Sequence, residues 1–378
     1  GAIFEPVGDW LRAQTYPKAG ETFQQAVQRE TKAARTGVGI LDASTLGKIE
    51  IKGKDAREFL NRVYTNAWKK LGIGRCRYGL MLREDGMVFD DGVTACLADD
   101  HFHMTTTTGG AARVLGWLEE YLQTEWTDLD VYMNTVTEQW AVASICGPGC
   151  EKIIAKLCPT LDASEAALPF MAFKESEIDG LPVRVFRISF TGEHSYEINI
   201  GASYGLWLWE KIFEVAKSLG IEVTPYGTEA MHVLRAEKGF IIVGQDTDGT
   251  VTPVDLRMDG LVKKDADFIG KRSLTRSDTA RTNRKQLVGL LTEDPGVVLM
   301  EGAHVIATST EPAPPVPMLG YVTSSYMSPN LGRSIALALV QSGGKRMGET
   351  LYVSRRNGTP IPVKVTEIDF LKAQGGRS

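Results

Sequence analysis

The sequence is poor in the features that mark several large classes of protein. Its 378 residues hold five cysteines, Cys76, Cys96, Cys146, Cys150 and Cys158. That odd, scattered set builds no disulfide framework and fits a reducing, cytoplasmic compartment. Only Cys146 and Cys150 lie close together, and no second Cys or His pair follows at ligand spacing, so a closed zinc site is not completed. No stretch approaches the roughly 18 uninterrupted apolar residues of a membrane span. Positive charge is not in excess either: 42 Lys and Arg against 47 Asp and Glu leave a formal charge of -5. A basic surface of the kind that drives sequence-blind nucleic-acid binding is therefore not expected. There is no G-x-G-x-x-G after a strand, no Walker loop, no G-x-S-x-G elbow and no H-E-x-x-H, so neither a flavin nor a nicotinamide domain is encoded. No signal-peptide pattern opens the chain, which begins at Gly1 rather than Met, so its start reads as a boundary within something longer.

What is present is an average globular composition, 43% hydrophobic and 24% charged, at a length that predicts two or three domains. A small molecule is the expected ligand. Ile49, Ile51 and Gly53 lead into Asp55 to Val63, where Ala56, Phe59, Leu60 and Val63 share a helical face. Val142, Ser144 and Cys146 lead in the same way through Gly147-Pro-Gly to Ile153, Ile154 and Leu157. Two such strand-helix units suggest an α+β fold with two related halves. Without a Lys-Ser/Thr pair, Gly147-Pro-Gly is a turn rather than a phosphate cradle. Hairpins are expected from Arg77 to Thr94, turning at Glu84-Asp-Gly, and from Val183 to Ile200, turning at Thr191-Gly-Glu-His. Leu206, Trp209, Phe213 and Ala216 form one expected buried stripe, and Thr228 can cap a helix that stops at Gly239. A polar linker from Arg272 to Lys285 precedes short strand-like runs at 286–291, 319–322, 335–340 and 351–353, the pattern of a small C-terminal β-barrel or sandwich.

Carboxylates are the leading chemical candidates. Successive side chains of a strand face opposite ways, so one of Asp90 and Asp91 can enter a pocket while the other is solvated or caps a turn. A turn-forming pair ahead of Gly92 is the alternative. Glu197 lies opposite Tyr196, Ile198 and Ile200, with an exposed strand residue as the alternative, and for Arg235 the alternative is a helix-surface charge with its stem packed. Thr105 to Thr108 run into Gly109-Gly110, where a loop can present backbone groups to a ligand. His101 and His103 share a strand face without an evident carboxylate partner, so no metal is assigned.

These residues sit in longer motifs: Leu41-Asp-Ala-Ser-Thr-Leu-Gly-Lys, Tyr64-Thr-Asn-Ala-Trp, Arg75 to Gly92, Phe190-Thr-Gly-Glu-His-Ser-Tyr-Glu-Ile, Leu234 to Asp246, Phe268-Ile-Gly-Lys-Arg-Ser-Leu and Gly320-Tyr-Val-Thr-Ser. Through them the sequence resembles the folate-binding aminomethyltransferase family of the glycine cleavage T protein. Within that family it is most similar to the C-terminal region of the alpha subunit of heterotetrameric sarcosine oxidase. The resemblance implies two folate-binding α+β lobes and a C-terminal β-barrel, a cloverleaf around a central channel. It places the first lobe at 1–50 and 138–270, the second at 51–137 and the barrel at 285–378. It implies tetrahydrofolate as the cofactor, a catalytic aspartate at Asp91, and folate contacts at Tyr78, Thr106, Thr107, Phe190, Glu197 and Arg235. Arg235 would meet the anionic folate tail or pair with Glu237. The expected reaction captures an iminium or formaldehyde as 5,10-methylenetetrahydrofolate, with flavin-bearing sarcosine oxidase subunits as possible partners and neither nucleic acid nor membrane among them. Met231 and Ala95 depart from glycine-cleavage members, which carry an arginine and, in some, an aromatic there. A stand-alone glycine-cleavage aminomethyltransferase and a non-catalytic folate-binding or subunit-interface module are the alternatives.

Overall fold

The computed structural model describes residues 1–355 and 358–373. Its strands are β1 (Ile3–Val7), β2 (Trp10–Thr15), β3 (Val38–Asp42), β4 (Gly47–Lys52), β5 (Cys76–Leu82), β6 (Val88–Ala98), β7 (His101–Thr106), β8 (Tyr132–Thr135), β9 (Trp140–Cys146), β10 (Ala172–Ile178), β11 (Leu181–Arg187), β12 (Ser195–Gly201) and β13 (Val223–Pro225), then β14 (Lys285–Thr292), β15 (His304–Ile306), β16 (Gly320–Ser328), β17 (Arg333–Gln341), β18 (Thr350–Val353) and β19 (Ile361–Thr366). The α-helices are α1 (Phe23–Thr36), α2 (Ala56–Val63), α3 (Ala111–Glu120), α4 (Cys150–Leu157), α5 (Gly205–Ser218), α6 (Thr228–Glu237) and α7 (Phe370–Ala373). Among the described residues no helix is long and apolar enough to cross a membrane. All five cysteines are free and buried.

The chain divides into two compact units, one of residues 1–81, 90–231 and 264–269, the other of 82–89, 232–263 and the described residues from Gly270 on. The first unit holds a five-stranded sheet ordered β5-β6-β7-β4-β8 and a six-stranded sheet ordered β10-β11-β12-β9-β3-β13. β13 runs parallel to its neighbour β3. The two strand-helix units of the sequence thus lie in different sheets, β4 with α2 in one and β9 with α4 in the other. Because β4 begins at Gly47, the expected lobe boundary at 50 falls inside a strand, which hydrogen bonding assigns whole to the five-stranded sheet.

The six-stranded sheet buries Val183, Val185, Ile198 and Ile200 against Ile153, Ile154 and Leu157 of α4 and Leu208, Ile212 and Val215 of α5. The expected stripe of α5 holds at Ala216, with Trp209 and Phe213 packed against this cluster, and is corrected at Leu206. Leu206 is 72% exposed, and the buried face runs through Leu208, Ile212, Val215 and Ala216. The helix is apolar on more than one face, and 3.6-residue spacing alone does not choose between them. A second cluster, Cys76, Ala95, Phe173, Phe186 and Ile188, takes residues from both sheets and packs them together. At Gly147, whose φ of 104° suits glycine, a Cβ would lie 2.2 Å from the Gly37 carbonyl oxygen, so the turn before α4 serves close chain packing.

α1 starts at a capping box in which the Thr22 hydroxyl receives the Gln25 amide. Its Glu30 is fully buried, and the carboxylate accepts hydrogen bonds from the Thr15 hydroxyl (2.8 Å), the Tyr16 amide (2.7 Å) and the Gly227 amide (2.9 Å). One side chain thereby ties the end of β2 and the entry to α6 onto α1.

In the second unit β14-β17-β16-β15-β18-β19 close into a barrel. Its interior is Val288, Leu290, Val305, Val322, Ala338, Val340, Val353, Val363 and Val365. The β-branched residues that give strand propensity also fill the barrel. Strands β15 and β19 complete it beyond the four runs expected from sequence. Glu30→Ala, which strands three donors in the interior of the first unit, is expected to cost about 3 kcal/mol or more in chemical denaturation, and Glu30→Gln less, because an amide oxygen still accepts.

Candidate functional site

The hairpin of β5 and β6 turns at Glu84-Asp85-Gly86, where Gly86 takes the left-handed φ of 86° that the turn needs. This register brings Tyr78 of β5 against Asp91 of β6, and the tyrosine hydroxyl donates to Asp91 Oδ2 at 2.7 Å. Burial raises the Asp91 carboxyl; the Tyr78 bond pulls it down and the neighbouring Asp90 charge pushes it up again, leaving it at about 7. The Tyr78 hydroxyl is held firmly protonated by burial and by Asp91. A carboxyl poised near neutrality with a fixed donor beside it is suited to giving and taking protons.

Glu197 stands on β12, paired in register with Phe186 of β11 and Ser144 of β9. Its neighbours Tyr196 and Ile198 point into the core, which turns Glu197 to the opposite face, as expected. Burial raises its carboxyl to about 7 against the opposing charge of Lys48. Lys48 itself is 1% exposed on β4, and its ammonium donates to the Ser44 and Leu46 carbonyls at 2.8 Å each. Burial lowers the ammonium to about 8, with Glu197 and Asp42 holding it up. Phe186, the register partner of Glu197, and Cys76, two residues before Tyr78 on β5, both belong to the cluster that packs the two sheets together. The cluster thus relates the strand of the Tyr78–Asp91 pair to that of Glu197.

Thr106 is 2% exposed, and its hydroxyl donates to the Thr107 carbonyl. Thr107 turns both its amide and its hydroxyl onto Asp90. Phe190 lies in the turn between β11 and β12 and is 37% exposed. That turn is pinned by Arg35, which donates to the Thr191 carbonyl at 2.7 Å and to Glu193 at 2.9 Å.

Arg235 is the clear departure from expectation. It is no surface charge, being wholly buried within the second unit. Its guanidinium pairs with Asp246 and donates to the Phe240 carbonyl at 3.0 Å and to Ser324 at 2.6 Å. Asp246, rather than Glu237, is its carboxylate partner, and Glu237 instead accepts from Ser328 and Asn330. An anionic ligand tail would have to displace Asp246 to reach this arginine.

Two groups were not singled out from sequence. Lys48 has the pattern of an ordinary strand residue, and only a fold that closes both faces of β4 reveals it. Glu50 supplies the carboxylate that His101 and His103 lacked: it stands across from His103 on the paired strand, accepts from His103 Nδ1 at 3.0 Å, and meets both His101 and Arg184, the last at 2.9 Å. Burial raises this carboxyl, but the bonds from His103, Arg184 and His101 outweigh it and hold it at about 2. Among the described residues no group of three or more His, Cys, Asp or Glu is arranged to hold a metal. A cleft of about 490 Å³ in the second unit, lined by Asp255, Arg284, Lys285, Met318 and Tyr321, contains none of the candidate carboxylates. Within it Arg284 pairs with Asp255 at 2.8 Å and with Asp278 at 3.0 Å.

The sequence matches the GCVT N-terminal domain over residues 1–266 and the glycine cleavage T-protein C-terminal barrel domain over 285–372. The chain therefore belongs to the glycine cleavage T-protein family, a family of aminomethyltransferase-type enzymes. It is 53% identical over 379 residues to sarcosine oxidase subunit alpha of Corynebacterium sp. strain U-96, and 43% identical over 382 residues to that of Rhizobium meliloti. All of the chain is covered in both cases, but only 39% and 38% of those subunits, so it spans about two fifths of their length. The aminomethyltransferase of Geobacillus sp. strain WCH70 is 33% identical over 350 residues, covering 92% of the chain and 91% of that protein. The crystal structure of glycine cleavage system aminomethyltransferase T from Bartonella henselae shares the fold, with a TM-score of 0.83 at 24% identity over 98% of this chain and 94% of that one.

A carboxyl whose folded pKa lies above its unfolded value near 4 binds its proton more tightly when folded. The stability it contributes is complete in acid and is lost as pH rises to about 7, the value for both Asp91 and Glu197. Asp91→Asn is thus expected to raise Tm relative to the unaltered chain by a margin that grows from about pH 4 to pH 7 and then levels. In the second unit Arg235→Leu leaves Asp246 unpaired in the interior and is expected to cost about 3 to 5 kcal/mol by denaturant titration.

Proposed function

We propose that this chain is the folate domain of a sarcosine oxidase alpha subunit and captures an iminium or formaldehyde as 5,10-methylenetetrahydrofolate. The observation that carries the reading is the Tyr78–Asp91 pair, a largely enclosed carboxyl set near neutrality beside a fixed phenol. The residues suit a reduced pterin. Glu197 offers an acceptor for the paired amino and ring N–H groups of such a ligand, and ionised carboxylates bind paired donors well. Lys48 favours the ionised form that this requires. Thr106, Thr107 and Phe190 would border the ligand, while Arg235 is left out because Asp246 already occupies it.

When bound, tetrahydrofolate supplies the nucleophilic nitrogens N5 and N10 to which the one-carbon unit becomes attached. Asp91, ionised, would take the proton released from nitrogen as the second carbon–nitrogen bond closes. The bond broken is that from the one-carbon unit to the donor's amine or, from formaldehyde, to oxygen, which departs as water. The Tyr78 hydroxyl orients the carboxylate for that transfer and limits the rise in its proton affinity. General acid–base assistance of this kind contributes about two to four orders of magnitude in rate. The iminium donor would be generated by flavin-bearing sarcosine oxidase subunits, since no dinucleotide motif lies in this sequence. The 53% identity to sarcosine oxidase alpha subunits, against 33% to an aminomethyltransferase, supports this donor over an aminomethyl-lipoyl carrier.

Anaerobic calorimetric titration of the chain with tetrahydrofolate should show saturable binding at about one site, weakened at least tenfold in Glu197→Ala. In Asp91→Asn the binding should persist while formaldehyde-dependent turnover falls by about two orders of magnitude or more. Equal loss of binding and turnover in Asp91→Asn would make Asp91 a structural or binding residue instead.

A further inference from the structure

Asp90 takes no part in the chemistry above, yet it is fully buried. Its carboxylate is closed in by three hydrogen bonds. Oδ1 accepts from the Asp91 amide at 2.8 Å and the Thr107 amide at 3.1 Å, and Oδ2 accepts from the Thr107 hydroxyl at 2.8 Å. The Thr107 hydroxyl in turn accepts the Gly110 amide at 3.1 Å, which locks the loop between β7 and α3. Gly110 forms the floor of this enclosure. A Cβ there would lie 2.0 Å from Asp90 Oδ2 and 2.5 Å from Thr107 Oγ1, so the site admits no side chain at that position.

An enclosure built of donors preserves the charge of a buried carboxylate. Burial pushes the Asp90 carboxyl up, and the Thr107 and Asp91 bonds and the Arg113 charge pull it back only in part, so it stays above the ordinary aspartate range. The ionisable groups facing the two acids are Tyr78 from β5, Tyr64 at the end of α2 and Arg113 of α3. Both phenols are kept neutral at ordinary pH by burial, so Asp90 is the neighbouring negative charge that Asp91 feels.

We infer that Asp90 is a positioning residue for the reaction at Asp91: it ties the strand bearing Asp91 to the loop of residues 107–110 and stands as a fixed negative charge beside the acid that moves the proton. The inference rests on the reading of Asp91 as the proton-transfer group. Without Asp90 the strand would lose its anchor to that loop, and Asp91 would give up its proton too readily to take one back effectively near neutral pH. A merely structural Asp90 would affect folding but leave the titration of Asp91 where it is.

The test follows the carboxyl carbon-13 resonances of the full chain labelled at aspartate, between about pH 4 and 9. Asp90→Asn and Asp91→Asn assign the two signals. In the unaltered chain Asp90 is expected to ionise first and Asp91 later. In Asp90→Asn, where the amide oxygen can still accept from the strand and loop, the Asp91 midpoint should fall by on the order of one pH unit. The acid limb of formaldehyde-dependent turnover should move with it. An unmoved Asp91 midpoint in an Asp90→Asn chain with unaltered circular dichroism would overturn the inference. So would Asp90 ionising above Asp91 in the unaltered chain, a result that stays decisive even if the variant does not fold. Should Asp91→Asn retain full turnover, the role of Asp91 falls, whereas the midpoints still report on Asp90 independently.

Discussion

A strand that carries two acids in succession must send them to opposite faces, and on β6 Asp90 is fully buried while Asp91 is half-buried. Each carboxyl needs its own answer to burial. Asp90 is met by three donors and a glycine floor. Asp91 is met by a single phenol and is left near neutrality. Burial raises both carboxyls, and the three donors at Asp90 oppose that rise where Asp91 has the phenol. The hairpin register, the Thr107 loop and the absence of a side chain at Gly110 all serve this asymmetry.

The same economy of buried charge governs the rest of the first unit. Its two sheets are held by an apolar cluster that includes Phe186 and Cys76, and by the Glu50 carboxylate, which gathers His101, His103 and Arg184. Arg184 also lies 4.6 Å from the centre of the Trp140 ring, so its charge is stacked as well as paired. Glu197 and Lys48 form a looser arrangement. They influence each other electrostatically, and the ammonium is anchored to backbone carbonyls. In the second unit Arg235 and Asp246 show the opposite outcome, a buried pair whose partners leave little for binding.

How much of this was legible in the chain depends on the range of the interactions. Local signals served well: the Glu84-Asp-Gly turn, the alternation through Tyr196, Ile198 and Ile200, the helices after Asp55 and Gly149, and the short β-branched runs of the barrel all appear where spacing places them. Glu197 was marked by facing away from apolar neighbours within its own strand, whereas alternation left Asp90 and Asp91 open and the choice of Asp91 came from the resemblance. Arg235 and Leu206 misled because helical spacing says which residues share a face but not what covers it.

By itself, then, the sequence determined many of the local elements, the α+β class with its terminal barrel, and that successive acids of a strand face opposite ways, because these follow from backbone periodicity and turn chemistry within a few residues. Only the tertiary structure decided what each charge meets. Asp246 lies 11 positions beyond Arg235, Glu50 lies 134 positions before Arg184, and Thr107 lies 17 beyond Asp90. The donors that folding delivers to a buried carboxylate set how far burial can raise it.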